Sequence, residues 1–108
     1  MHSTLIVARL QPEDADQVAT IFREFDGTEL PGLMGTRRRQ LFHYRGLYFH
    51  MQDFDTDDGG AAIESTKDHP LFVQISDDLK AYIDAYDPMK WRSPKDAMAT
   101  RFYNWSSE

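Results

Sequence analysis

The chain contains no cysteine, which excludes disulfides, thiolate metal ligands and cysteine nucleophiles. It has no apolar run near the ~20 residues that a membrane-spanning helix needs. Its first residues show no charged segment, long apolar run and cleavage site of a secretory leader, so a soluble, cytoplasmic protein with no membrane partner is expected. Basic residues are in deficit: 12 Lys and Arg against 18 Asp and Glu give a formal net charge of −6. That sign argues against general nucleic-acid binding, which needs a basic footprint. There is no zinc-ligand spacing, no glycine-rich phosphate loop and no serine elbow.

What is present can fold. Of the 108 residues, 41% are hydrophobic and 13% aromatic, too much apolar material for a disordered chain. The length predicts one domain, residues 1–108, with a core small for its surface. Pairing with a second copy would remedy that. STLIVARL at 3–10 is β-branched and aliphatic and reads as a strand. Gln11-Pro12 breaks it, and Glu13, Asp14 and Asp16 suit the positive end of a helix dipole. Ala15, Val18, Ala19, Phe22 and Phe25 recur at helical spacing with Ile21 at the edge, and the helix should stop at Asp26-Gly27. GTELPGLMG at 27–35 reads as a loop.

Residues 36–45 and 47–54 read as two strands about a turn at Arg45-Gly46. An acidic loop at 53–60 and a helix from about 61 to 67 follow. A longer helix is predicted from His69-Pro70 through Tyr86, on Leu71, Phe72, Ile75, Leu79, Tyr82 and Ile83. AMATRFYNW at 97–105 reads as a last strand. The order βαββαβ is that of an α+β, ferredoxin-like fold, a four-stranded antiparallel sheet with helices on one face. A second copy of the sheet is the obvious cover for the other.

The hairpin RRRQLFHYRGLYFHM at 37–51 concentrates unusual chemistry in an acidic protein. With a two-residue turn, Tyr44 opposes Leu47, Phe42 opposes Phe49 and Gln40 opposes Met51. That face is almost wholly apolar and is expected to pack on the helices. Arg37, Arg39, Leu41, His43, Tyr48, His50 and Gln52 then share the face turned away from them. Arg39 lies diagonal to His50, within reach of a long side chain. The last strand is expected to add Arg101, Tyr103 and Trp105 to the His50 face, and the first strand Leu5, Val7 and Arg9. Covered, such a face is an aromatic-walled pocket with a few convergent polar groups, the usual form of a small-ligand site. Asp26 ends a helix where the dipole disfavours an acid, a misfit that hints at a role. Asp53, Asp55, Asp57 and Glu64 fall at the acidic spacing of a calcium loop, but Asp58 holds the position that demands glycine and a strand leads in, so a solvated loop is expected.

FREFDGTELPGLMGTRRRQLFHYRGLYFHM, with HPLF at 69–72 and FYNW at 102–105, resembles the small single-domain aromatic polyketide cyclases over nearly the whole chain. The resemblance implies a dimeric α+β barrel of ferredoxin-like protomers, with no cofactor and no metal. It implies closure of a ring on a poly-β-ketone made by a type II polyketide synthase, whose acyl carrier protein is a possible partner. Asp26, Arg39 and His50 match the family's proposed catalytic positions, and Phe25 stands where a family member carries histidine. On this reading His50 transfers a proton, Arg39 anchors the enolate or carbonyl, and Asp26 assists as acid or base. Phe25, Tyr48, His43, Arg101, Tyr103 and Trp105 are the expected substrate contacts, with Phe42 and Phe49 as further wall candidates. The resemblance places the ligand between sheet and helices, whereas the alternation argument puts Arg39 and His50 on the opposite face. A cofactor-independent monooxygenase acting on an aromatic polyketide and a non-catalytic polyketide-binding dimer are the competing readings.

Overall fold

The computed structural model describes residues 2–56, 58–92 and 94–107. Strand β1 (His2–Leu10) leads through a short 3-10 helix (Pro12–Asp14) into α1 (Ala15–Asp26). Proline within the first helical turns and acids beside them are compatible with that start. Val18, Phe22 and Phe25 bury one stripe of α1. A second helix, α2 (Leu30–Met34), occupies the stretch read as a loop. Pro31 sits in its first turn, where no amide donor is needed, and Gly35 ends it at φ 80°, a left-handed cap. Leu30 and Met34 are buried, so packing selects a helix that glycine and proline seem to forbid.

The hairpin of β2 (Thr36–Tyr44) and β3 (Leu47–Phe54) has the expected register, including Phe42 opposite Phe49 and Leu41 opposite His50. Arg45 and Gly46 both take positive φ, 50° and 83°, the geometry that matches the twist of a two-residue hairpin. A register shift between Thr36 and Arg38 leaves Arg37 as a bulge, and its side chain pairs with Asp55 at 3.4 Å. Then come α3 (Gly59–Thr66), α4 (Pro70–Leu79) and β4 (Ile83–Ala85), followed by a 3-10 helix (Pro94–Ala97). Asp58 caps α3 by accepting from the Ala61 amide at 3.0 Å. His69 caps α4, Nδ1 accepting from the Leu71 amide at 3.1 Å. The antiparallel sheet runs β2-β3-β1-β4, the ferredoxin-like α+β arrangement. No helix among the described residues is long and apolar enough to cross a membrane.

Two further expectations are corrected. The final strand is not 97–105 but Ile83–Ala85, which pairs with Ala8 to Leu10 of β1. The long helix ends at Leu79, and a turn returns the chain to the sheet. Three strand residues are too few to reveal alternation, so they extended the helical period by accident. Of 97–105, Met98 forms a single bridge with Ile6 and the Ala99 amide donates to Leu5 at 2.7 Å. Beyond, Phe102, Tyr103 and Trp105 are highly exposed.

The second correction is the sheet's orientation. Tyr48, His50, Gln52 and Phe54 of β3, and Thr4, Ile6, Ala8 and Leu10 of β1, are the buried, helix-facing residues. Leu5, Val7, Leu47, Phe49 and Met51 face outward, with Phe42 and Tyr44 exposed beside them. The more apolar face does not carry the helices because Arg39, His50 and Gln52 of the other face pair with one another and with Asp26. In the acidic stretch, Asp53 accepts from Ser3 at 2.6 Å and Asp55 pairs with Arg37, while Asp57 lies outside the described residues. No cluster of three potential metal ligands occurs among those described.

Gly59 starts α3 hard against the sheet. A Cβ there would stand 2.5 Å from the Phe54 ring and 2.8 Å from Thr4. Since Phe54 is wholly buried and cannot retreat, Gly59→Ala is expected to destabilise the fold by about 2 kcal/mol. Equilibrium urea unfolding checks this; an unchanged midpoint would refute the close packing.

Candidate functional site

A cavity of about 560 Å³ lies between the helices and the inner face of the sheet. Its walls are mainly apolar: Ile6, Phe22, Phe25, Met34, Ile63, Phe72, Ile75 and Leu79, with Trp91 and Pro94 near the edge. Arg39, Tyr48, His50 and Gln52 bring polar groups from β2 and β3. The inverted sheet thus resolves the conflict between the two sequence arguments. Arg39 and His50 do share a face, and that face looks at the helices.

Arg39 organises this floor. Its side chain is only 8% exposed, so each N–H must find an acceptor. Nε donates to Asp26 Oδ1 at 3.0 Å and Oδ2 at 3.1 Å, and Nη2 donates to Oδ1 at 2.9 Å. This is a fork on the last residue of α1, and it explains why an acid tolerates that end of the dipole. Nη1 donates to His50 Nε2 at 2.9 Å and to Gln52 Oε1 at 3.1 Å. Gln52 is held in turn by donating to Thr36 Oγ1 at 2.8 Å and toward Met34 Sδ at 3.3 Å. Phe22 and Phe25 cover the guanidinium at 4.9 and 5.5 Å from their centroids. A guanidinium carries five N–H groups. Nε, both on Nη1 and one on Nη2 are engaged, which leaves one Nη2–H for a ligand.

The same geometry fixes His50. A guanidinium can only donate, so Nε2 accepts and the ring's hydrogen sits on Nδ1. Burial first, and the Arg39 charge second, push its pKa down to about 3. His50 is therefore a neutral imidazole at any working pH, with its basic nitrogen occupied. Burial pushes the Tyr48 phenol above its ordinary range, with Arg39 opposing, so it too is neutral.

Of the other sequence candidates, Phe25 and Tyr48 line the cavity, and Asp26 reaches it through Arg39. His43 lies opposite Tyr48 but is exposed. Arg101, Tyr103 and Trp105 are exposed and outside the cavity lining; with no strand at 97–105, nothing draws them to it. Phe42 and Phe49 lie on the outer face. Gln52, Met34, Phe22 and the α4 stripe were not singled out. Gln52 was readable as the next inward position after His50, whereas Met34 depended on the unforeseen α2.

Residues 2–106 match the family of polyketide synthesis cyclases. Relatives include the polyketide synthase CurG of Streptomyces cyaneus, 41% identical with 100% of both chains covered. Tetracenomycin F2 cyclase of Streptomyces glaucescens is 38% identical over 98% of this chain and 95% of its own. The solved structure of that type-II polyketide cyclase superposes with a TM-score of 0.91 at 37% identity, covering 100% of both chains. A putative antibiotic biosynthesis monooxygenase from Nitrosomonas europaea has a TM-score of 0.55 at 11% identity, covering 82% of this chain and 90% of its own, and shares the fold alone. A ferredoxin-like α+β enzyme with a half-open, largely apolar cavity floored by a buried arginine is the class that fold and site define. The chain belongs to the polyketide synthesis cyclase family.

The depressed pKa of His50 has a stability consequence. Above the ordinary pKa of about 6.5 neither folded nor unfolded His50 is charged, and stability is unaffected. Below it the unfolded chain takes up a proton that the folded one refuses until about pH 3, so stability falls as pH drops through that window. The loss attributable to His50 is expected to be about 2 kcal/mol at pH 5. Urea unfolding at pH 7 and 5 of the wild type and His50→Gln checks it: the pH dependence should shrink by that amount in the variant, and identical slopes would refute a proton-refusing His50.

Proposed function

We propose that the protein closes a ring on a poly-β-ketone from a type II polyketide synthase by intramolecular aldol condensation, followed by dehydration and aromatisation. The observation that carries this is the single uncommitted N–H of a buried guanidinium at the floor of an apolar cavity. Family membership and the full-length similarity to a tetracenomycin F2 cyclase support it.

Three tasks must be met: a methylene loses a proton, the enolate is stabilised, and the accepting ketone is polarised. A methylene between two ketones is already acidic, so stabilising the enolate is the larger task. Arg39 directs its free Nη2–H at the oxygen where charge develops, in a site where burial strengthens the interaction. His50 and Gln52 fix Nη1, and Asp26 fixes Nε and Nη2, so little reorganisation accompanies the reaction. Asp26 is the proton acceptor, because its carboxylate stays 41% exposed and Oδ2 takes only one bond from Arg39. His50 serves as an orienting acceptor for Arg39 and a donor through Nδ1 rather than as the base. The apolar walls hold the flexible chain in one near-attack arrangement.

Arg39→Met and Asp26→Asn are each expected to lower cyclisation roughly 10²- to 10³-fold, the effect of losing one preorganised charge-stabilising group. Co-expression with a minimal type II synthase, scoring cyclised against shunt products, checks this. Wild-type product ratios in both folded variants would remove the mechanism.

The partners of this reading are the polyketide, the acyl carrier protein of the synthase and a second copy of the chain, all in the cytoplasm, with residues 1–108 as one cyclase domain. The second copy is supported by the sheet's outer face, where Leu5, Phe49 and Met51 are only half-buried and Phe42 is exposed. The exposed Phe102, Tyr103 and Trp105 add to the apolar surface needing cover. A homodimer through this face is expected at micromolar concentration by light scattering, and Phe42→Glu combined with Phe49→Glu should give monomers. A wild-type monomer would refute the arrangement.

A further inference from the structure

Beside Arg39, the cavity floor carries two more polar hydrogens that no described residue takes up. Tyr48 is 4% exposed and His50 8%. The Tyr48 hydroxyl and His50 Nδ1 have no hydrogen-bond partner among the described residues. Neither is sealed off, however: Thr4 Oγ1 is the one fully enclosed side-chain polar atom without a partner among those residues. Both atoms therefore touch open space, and the space their residues line is the cavity. A nearly buried hydroxyl with no partner is unfavourable unless something arrives to accept from it.

The arrangement has a direction. Tyr48 and His50 are two apart on β3, so they share a face and their Cα atoms lie about 6.7 Å apart along the strand. Their ring centroids are 6.2 Å apart. Arg39 enters from the neighbouring strand with its free Nη2–H. Phenol, imidazole and guanidinium thus bring three donors to one face of the sheet. A set of donors over apolar walls suits a chain whose oxygens are all acceptors, and a poly-β-ketone carries a carbonyl on every second carbon.

We propose that Tyr48 is a substrate-anchoring residue that sets regiochemistry: its hydroxyl donates to one carbonyl of the chain, beside the His50 Nδ1–H, and so fixes which ketone lies against Arg39. This rests on the cyclase reading above and goes beyond it by assigning the register of the folded chain. Burial keeps the phenol protonated, so the donor is present at every working pH.

Tyr48→Phe removes one oxygen and keeps the ring. Two experiments read it. In co-expression with a minimal type II synthase, the variant should raise misfolded-chain cyclisation products relative to the wild-type product. In titration with 1,8-dihydroxyanthraquinone, a planar carbonyl ligand added from dimethyl sulfoxide and read by its visible absorbance, the variant should bind roughly three- to tenfold more weakly, as for one lost hydrogen bond. Its thermal midpoint should be unchanged or higher, which separates anchoring from support of the fold. Equal product ratios and equal dissociation constants would overturn the proposal, as would a wild type that does not bind the anthraquinone. If the wild type binds it but leaves the synthase products unaltered, the cyclase reading fails while the titration still decides whether the Tyr48 hydroxyl anchors a carbonyl ligand.

Discussion

The structure is organised around a guanidinium that water barely reaches. Removing such a charge from solvent costs several kcal/mol, and the cost is offset only when opposite charge and acceptors surround it. Arg39 of β2 draws Asp26 from the end of α1 and His50 and Gln52 from β3. Phe22 and Phe25 close over its faces. One side chain therefore fastens the first helix to two strands and fixes which side of the sheet the helix covers. Gln52 extends the arrangement to Thr36 and Met34, the flanks of the Gly35 cap, so the α2 turn answers to the same cation.

That arrangement dictates what chemistry the floor can perform. A protonated imidazole beside a guanidinium in a dry site is doubly unfavourable, so His50 stays neutral and turns its lone pair to Arg39. Its remaining hydrogen, the phenol of Tyr48 and the last N–H of Arg39 are all donors. A floor of donors stabilises oxygen that gains negative charge and has little to offer a cationic ligand. The proposed enolate needs that property, and because a methylene between two ketones is already acidic, the half-exposed Asp26 carboxylate is a sufficient proton acceptor on that reading.

Much of the fold was legible in local pattern. The period of Val18, Phe22 and Phe25 gave α1, and Arg45-Gly46 gave the turn and with it the hairpin pairs from Tyr44–Leu47 to Arg38–Asp53, short of the bulge at Arg37. Pairing depends on backbone geometry that the turn alone decides. The facing of the sheet was misread because hydrophobicity was taken to mark the helix side. Arg39, Gln52 and His50 are polar residues that satisfy one another, a cancellation visible only once Asp26 is brought 13 residues back along the chain to meet them. Strand β4 escaped because three residues hold too little alternation. The pairing of Arg39 with His50 was readable from i and i+2 spacing on facing strands, and Asp26 from its misfit with the helix dipole, which the resemblance reinforced. Arg101, Tyr103 and Trp105 lie outside the cavity lining because the strand they were placed on does not form.

The two faces of the sheet divide the labour, which explains why the apolar one points outward. An enclosed floor can afford polar groups if helices shut out water and the groups pair, and the catalytic reading requires such a floor. The strands' aliphatic and aromatic residues must then occupy the other phase of the alternation, because each residue has only two sides to choose from. Leu5, Val7, Phe49 and Met51 are displaced to the surface by the demands of Arg39 and His50. A face of that character is unfavourable in water, and a symmetry mate offers an equally apolar surface without any new partner having to evolve. In the proposed dimer, pairing follows from the site: placing a cation inside the protomer forces the grease outside, and the grease needs cover.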